Sequence, residues 1–267
     1  MSKKTLITRL AMTAMMGGLL AATTVQAHVN IARENVFALG DAPREYLEGS
    51  SAFISVNLPH DCSNPDTGEH FATTDVAILL PNGTGLPQDV AFTKNHFSSS
   101  TDTYGANAVM GTKARVSGVW KKVMVRKDTV DPFYNHGLRT EDARAIYWLK
   151  GLVDNDHYDN LEIKTSFPHL TGCTTRLEIK IPSVQYCKKG YATAWIGTDQ
   201  SSVFAPGTPK LRLTETYTPH FAVVRDLENN PLPAECNGVG TTVTVTPSVD
   251  EIDQYLPLPD DDHDSQD

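Results

Sequence analysis

The chain has 267 residues, 32 of them acidic against 23 basic, and a formal net charge of −9. That balance is a poor match for nucleic acid or an anionic lipid surface, whose phosphates require a basic partner. It is a reasonable match for cations.

Lys3, Lys4 and Arg9 stand without acidic neighbours ahead of an apolar run from residue 10 to about 25. Val25-Gln26-Ala27 then supplies the small residues that signal peptidase reads. A bilayer span needs about 20 strongly apolar residues. This run is shorter and contains Thr13, Thr23 and Thr24. The pattern predicts a signal segment over residues 1–27, cleaved to leave His28 as the first residue. Losing 27 of 267 residues leaves 240, enough for one sizeable core. Three cations and no acid go with them, so the charge moves from −9 to −12. No later segment is long or apolar enough to span a membrane, and the expected product is a soluble periplasmic protein.

Beyond the junction, short runs rich in Val, Ile, Thr and aromatics recur at 53–58, 75–80, 122–125, 145–149, 161–167, 176–181, 191–196, 210–216, 220–224 and 241–246. Gly, Pro, Asn and Asp cluster between them, which reads as strands joined by turns. Residues 176–181 alternate cleanly, as a strand with one wet face does. No window carries a sustained 3.6-residue apolar stripe. The fold class expected is therefore all-β, a sandwich. Residues 82–118 are rich in Gly, Ser, Thr and Asn and read as long loops, with Asn82-Gly83-Thr84 marking a turn. Residues 257–267 form an acidic, proline-edged tail, which reads as solvated.

Cys62, Cys173, Cys187 and Cys236 contain no C-x-x-C pair, which argues against a zinc ribbon or a thioredoxin-type site. In an exported chain they read as two disulfides with three alternative pairings. No G-x-S-x-G elbow, H-E-x-x-H helix or phosphate-binding glycine loop is present, and no catalytic residue is assigned.

A leading histidine offers two nitrogens from one residue. Its α-amine, titrating near ~7.7–8.0, deprotonates far more readily than a lysine. With the imidazole Nδ1 it closes a six-membered chelate ring, an arrangement suited to tetragonal Cu(II). In the precursor that amine is an amide, so cleavage itself would create the site.

The pieces His28-Val29-Asn30-Ile31, Gly49-Ser50, residues 56–62 (VNLPHDC) and residues 73–81 (TTDVAILLP) occur in a familiar order. Residues 146–151 (IYWLKG), residues 182–190 (PSVQYCKKG) and Ala194-Trp195 follow. Over residues 28–215 the chain resembles the YcnI-like domain family of exported copper-binding proteins. That resemblance implies an immunoglobulin-like or cupredoxin-like β-sandwich; the strand-like runs beyond it make residues 216–256 a C-terminal extension with strands. It implies Cu(II) held by His28, with Trp148 close to the metal and a carboxylate as further ligand. Where relatives carry Glu just after Gly-Ser, this chain reads Ser51-Ala52-Phe53, so Glu48 or Glu45 is the expected substitute. His60 is a further candidate ligand. Disulfides Cys62–Cys187 and Cys173–Cys236 follow from the same resemblance.

The function so implied is copper storage, delivery or homeostasis, with the copper ion and a periplasmic or membrane copper acceptor protein as partners. Its rivals are a histidine-brace oxidative enzyme, to which His60, His136 or His169 could contribute, and a metal-free interaction module in which His28 is incidental.

Overall fold

A computed structural model describes residues 29–31, 44–58, 60–64, 66–81 and 107–259. The signal segment, His28, the Asn82 turn and the tail from residue 260 lie outside the described residues.

The strands are β1 (Asn30–Ile31), β2 (Arg44–Leu47), β3 (Ser51–Leu58), β4 (Cys62–Ser63), β5 (His70–Phe71), β6 (Thr73–Leu79), β7 (Met110–Ala114) and β8 (Lys122–Tyr134). They continue as β9 (Leu138–Leu149), β10 (Asp159–Ser166), β11 (Thr174–Lys180), β12 (Ser183–Cys187), β13 (Ala192–Trp195), β14 (Leu211–Thr214), β15 (His220–Val224) and β16 (Thr241–Val245). A short helix, α1 (Val249–Tyr255), follows. Two four-stranded sheets have the orders β1-β3-β10-β7 and β16-β11-β15-β2. A six-stranded sheet runs β14-β13-β12-β6-β9-β8, and β4 and β5 form a small ribbon. The chain is a β-sandwich.

One core gathers the inward faces of all three larger sheets. Ile54, Val56 and Leu58 of β3 meet Ile146 and Trp148 of β9 and Ile179 and Phe221 of β11 and β15. Alternation explains the selection, since every second residue of β3 from Ile54 on points inward. β9 is different, buried over Asp142–Leu149 on both faces. Its second face, with Ala145, Tyr147 and Leu149, packs under α1 through Ile252, Tyr255 and Leu256.

Two expectations are corrected by this architecture. Residues 110–114, read as loop, form β7, because Thr112 pairs its hydroxyl with that of Thr165 and Asp142 takes the Gly111 and Thr112 amides. The stretch from residue 216 carries strands as expected, and β15 lies between β11 and β2, with Phe221 and Val223 fully buried. A helix also exists, held by a capping box in which Ser248 accepts the Glu251 amide and Glu251 accepts the Ser248 amide.

Both expected disulfides are formed, Cys62–Cys187 and Cys173–Cys236. Two bridges fit an oxidising compartment. Among the described residues no helix is long and apolar enough to cross a membrane.

Candidate metal centre

The site is built from the end of the sandwich where β3 finishes. β1 runs antiparallel to β3, with Asn30 opposite Asn57 and Ile31 opposite Val56. Val29, one residue before β1, is buried in the common core with Leu58. The chain therefore enters the fold beside the segment that leaves β3, which reads His60-Asp61-Cys62. Cys62 is fixed there by its bridge to Cys187, and Cys187 is the last residue of β12.

His60 sits at this end, partly exposed, with Nδ1 2.5 Å from the Asp61 carbonyl. Its own carbonyl accepts the Gln185 side-chain amide at 2.7 Å. The Asp61 carboxylate is almost wholly buried and takes a contact from His70 Nδ1 at 2.8 Å. Buried carboxylates need such partners, because an ion removed from water without one is costly. The His70 ring is half-exposed, so this pair links the buried acid to the surface.

Trp148 reaches the same end from the facing sheet. It is 1% exposed, paired in register with Val76 and Val123, and belongs to the common core. Its flank nevertheless lines a cleft of about 420 Å³, with Arg115, Ser117, Tyr158, Asp159 and Glu162 as neighbours. Nearby Trp120 is buried and donates its indole N–H to Asp159 Oδ2 at 2.6 Å. Gly151 has no room for a side chain there, since a Cβ would fall 2.4 Å from the Trp120 ring.

Glu48 stands elsewhere. It precedes Gly49-Ser50 at the start of β3, and the seven residue steps from Ser51 to Leu58 span roughly 23 Å. Its carboxylate is buried and accepts the amides of Leu170 at 2.5 Å and Asp226 at 2.8 Å, together with the Asn230 side chain. These bonds tie β2 to the loops after β10 and β15. Glu45 forms an ion pair with Arg176 on the β16-β11-β15-β2 sheet. The structure thus brings His60 and Trp148 to the end at which Val29 enters and keeps Glu48 and Glu45 away from it. His169 packs over Gly49 at the Glu48 end. His136 occupies the tip of the β8–β9 hairpin with φ 52°, the far end of those strands from Trp148.

Asp61 and Asp159 were not singled out from the sequence. Asp61 lies inside the Pro-His-Asp-Cys stretch, but its bond to His70 joins residues nine positions apart and shows only in the fold. Among the described residues no group of three or more His, Cys, Asp or Glu side chains could hold a metal ion.

Residues 104–213, from just before β7 into β14, match the model of a domain of unknown function, DUF1775, the family that includes YcnI-like proteins. No curated protein matches the chain. Among solved structures, a protein from Nocardia farcinica, described as uncharacterized and as revealing an immunoglobulin-like fold, is similar at 13% identity and a TM-score of 0.35. The likeness covers 67% of this chain and 91% of that one.

Proposed function

We propose that the chain is an exported copper-binding protein that takes up Cu(II) at the mature N-terminal residue His28 and acts in copper storage or delivery without turnover. The observation that carries this reading is the pairing of Asn30 with Asn57, which makes the chain enter the sandwich beside His60 and Asp61.

In this reading the His28 α-amine and imidazole form the chelate. His60 supplies a further imidazole, and Asp61 takes the carboxylate role, because it adjoins His60, whereas Glu48 precedes the other end of β3. The donor set is nitrogen-rich with one carboxylate, which suits Cu(II) among divalent first-row ions. His70 orients Asp61 as an outer partner and so fixes the direction of its lone pairs. Bound copper would supply Lewis acidity and a redox couple. The protein's own residues hold it at a rigid edge, with Trp148 closing the apolar side. Delivery calls for an exported acceptor able to approach that edge.

The test is a Cu(II) titration of the processed protein, followed by paramagnetic resonance, beside His28→Ala and His60→Ala. The reading expects one equivalent bound tightly by the parent, abolition in His28→Ala and a weaker complex with altered nitrogen coupling in His60→Ala. Tight binding retained in His28→Ala overturns it.

A further inference from the structure

The loops over residues 115–121 and 150–158 close the same end of the sandwich, because Lys122, first residue of β8, pairs with Leu149, last residue of β9. Trp120 clamps the two loops together. Its buried indole donates to Asp159 Oδ2, and its ring occupies the space that a side chain on Gly151 would need. Large apolar side chains stand out from this frame. Val116 is 81% exposed, and Val119, Leu152 and Tyr158 are exposed as well. Val116 and Tyr158 line one cleft from its two sides. Single wet apolar side chains are ordinary, but four on two clamped loops form a patch, and patches mark contact surfaces.

The charge at this end runs against that of the whole chain. From residue 107 to residue 127 the sequence holds six cations and no acid, in a molecule of net charge −9. Arg115 adjoins Val116, and Lys121 and Lys122 follow Val119 and Trp120; all three cations are exposed. Lys150, next to the strand partner of Lys122, is exposed too. The acids of the second loop are engaged elsewhere. Asp154 holds His157 Nδ1 at 2.5 Å and, with Asp156, lines the cavity that Lys188 and Lys189 share. Asp159 is bonded to Trp120, and the Glu162 carboxylate lies 3.8 Å from Arg115.

Aliphatic tips set among cations fit a surface that is anionic outside and apolar just beneath. A bilayer interface has that order. Its phosphates attract Lys and Arg, whose stems lie along apolar matter while their charged ends stay wet. Apolar side chains enter the boundary below the headgroups, where Tyr also settles. A nucleic acid offers phosphates but no apolar layer for Val116 and Leu152. We propose that this end of the sandwich docks peripherally on an anionic membrane surface, with Val116, Val119 and Leu152 entering the interface and Arg115, Lys121, Lys122 and Lys150 meeting headgroup phosphates. The acidic remainder of the molecule is repelled by the same surface, which orients the docked chain. The inference does not depend on the copper reading.

The test uses the processed chain without added metal, so that the apolar run before His28 is gone. It is sedimented with vesicles of phosphatidylglycerol and phosphatidylcholine, and with vesicles of phosphatidylcholine alone. Expected is binding to the anionic vesicles that fades at high salt, and far less on the neutral ones. Each basic side chain near the surface is worth about fivefold in affinity, so Lys121→Glu/Lys122→Glu should weaken binding about twentyfold or more. Val116→Asp should weaken it about tenfold, whereas Val239→Asp, a change at another exposed valine on the Glu48 end, should leave it near the parent value. An unchanged melting temperature verifies the fold of each variant. Absence of binding to the anionic vesicles, equal binding to both kinds, or parent-like binding by Val116→Asp overturns the proposal. A dimer abolished by Val116→Asp, with no vesicle binding, assigns the patch to a second copy of the chain and overturns it too.

Discussion

Asn30 stands opposite Asn57 across β1 and β3, and this one pairing decides at which end of the sandwich the chain enters through Val29. A slip of one residue would turn Val29 and Ile31 out of the core, so their burial specifies the register. The same relationship separates the candidate ligands, with His60 and Asp61 near the entry and Glu48 at the other end of β3.

Glu48→Ala is expected to leave copper affinity unchanged while lowering stability by about 3 kcal/mol, because it strands the Leu170 and Asp226 amides and the Asn230 side chain. Urea unfolding paired with a Cu(II) titration measures both. A stable variant with lost copper binding would return Glu48 to the ligand set.

Asp61→Asn should weaken the copper complex by about tenfold, equivalent to ~1.4 kcal/mol, and leave the Cys62–Cys187 bridge intact. His70→Ala should give a smaller effect in the same direction, as outer partners do. Competition titration against a chelator of known affinity reads the two values. Affinity untouched by either change removes Asp61 from the site.

Asp142 gives a pH dependence of known sign. Burial is the main cause that pushes its carboxyl from 3.8 up to about 6, against the opposing backbone bonds from Ala143, Gly111 and Thr112. A raised carboxyl pKa favours the folded state while the group is protonated. Its contribution is thus complete below about 3.8 and lost as pH rises through about 6. Roughly two pKa units correspond to about 3 kcal/mol. Unfolding midpoints measured from pH 4 to 7.5 should show less of this loss in Asp142→Asn than in the parent, and an unchanged slope would contradict the assignment.

Removal of residues 249–267 is expected to destabilise the fold by several kcal/mol, since Ile252, Tyr255 and Leu256 each bury an apolar side chain against the six-stranded sheet. Arg144, buried in that sheet, would lose Glu251, its ion-pair partner. Tyr147 and Tyr186 would lose the carbonyls of Tyr255 and Leu256. Thermal melts of the truncated chain, with a dye that reports exposed apolar surface, provide the measurement.

Strands with one wet face were legible because alternation survives in the residues, as in β11 and β3. β12 was not, because Ser183, Val184, Gln185 and Cys187 are all buried and leave no two-residue pattern. β7, with Gly111 and Thr112 inside it, depends on Asp142 from another strand and carries little local signal. α1 is a seven-residue helix, too short for a periodic stripe, though Ser248 and Glu251 carried its capping signature. Of the candidate residues, His60 is named from its Pro-His-Asp-Cys setting and Trp148 from the family resemblance. That Glu48 lies at the other end of β3 from His60 could not be read from the sequence, because only the extent and pairing of that strand separate them.

The central claim is that cleavage after Ala27 frees an amine that, with the His28 imidazole, chelates copper. The most direct measurement compares Cu(II) binding by the processed chain with a form carrying one glycine before His28. The account predicts one tightly bound equivalent in the first, with nitrogen coupling in its resonance spectrum, and loss of that complex in the second. Equal affinity in the two forms, or a secreted chain that begins at another residue, would contradict it.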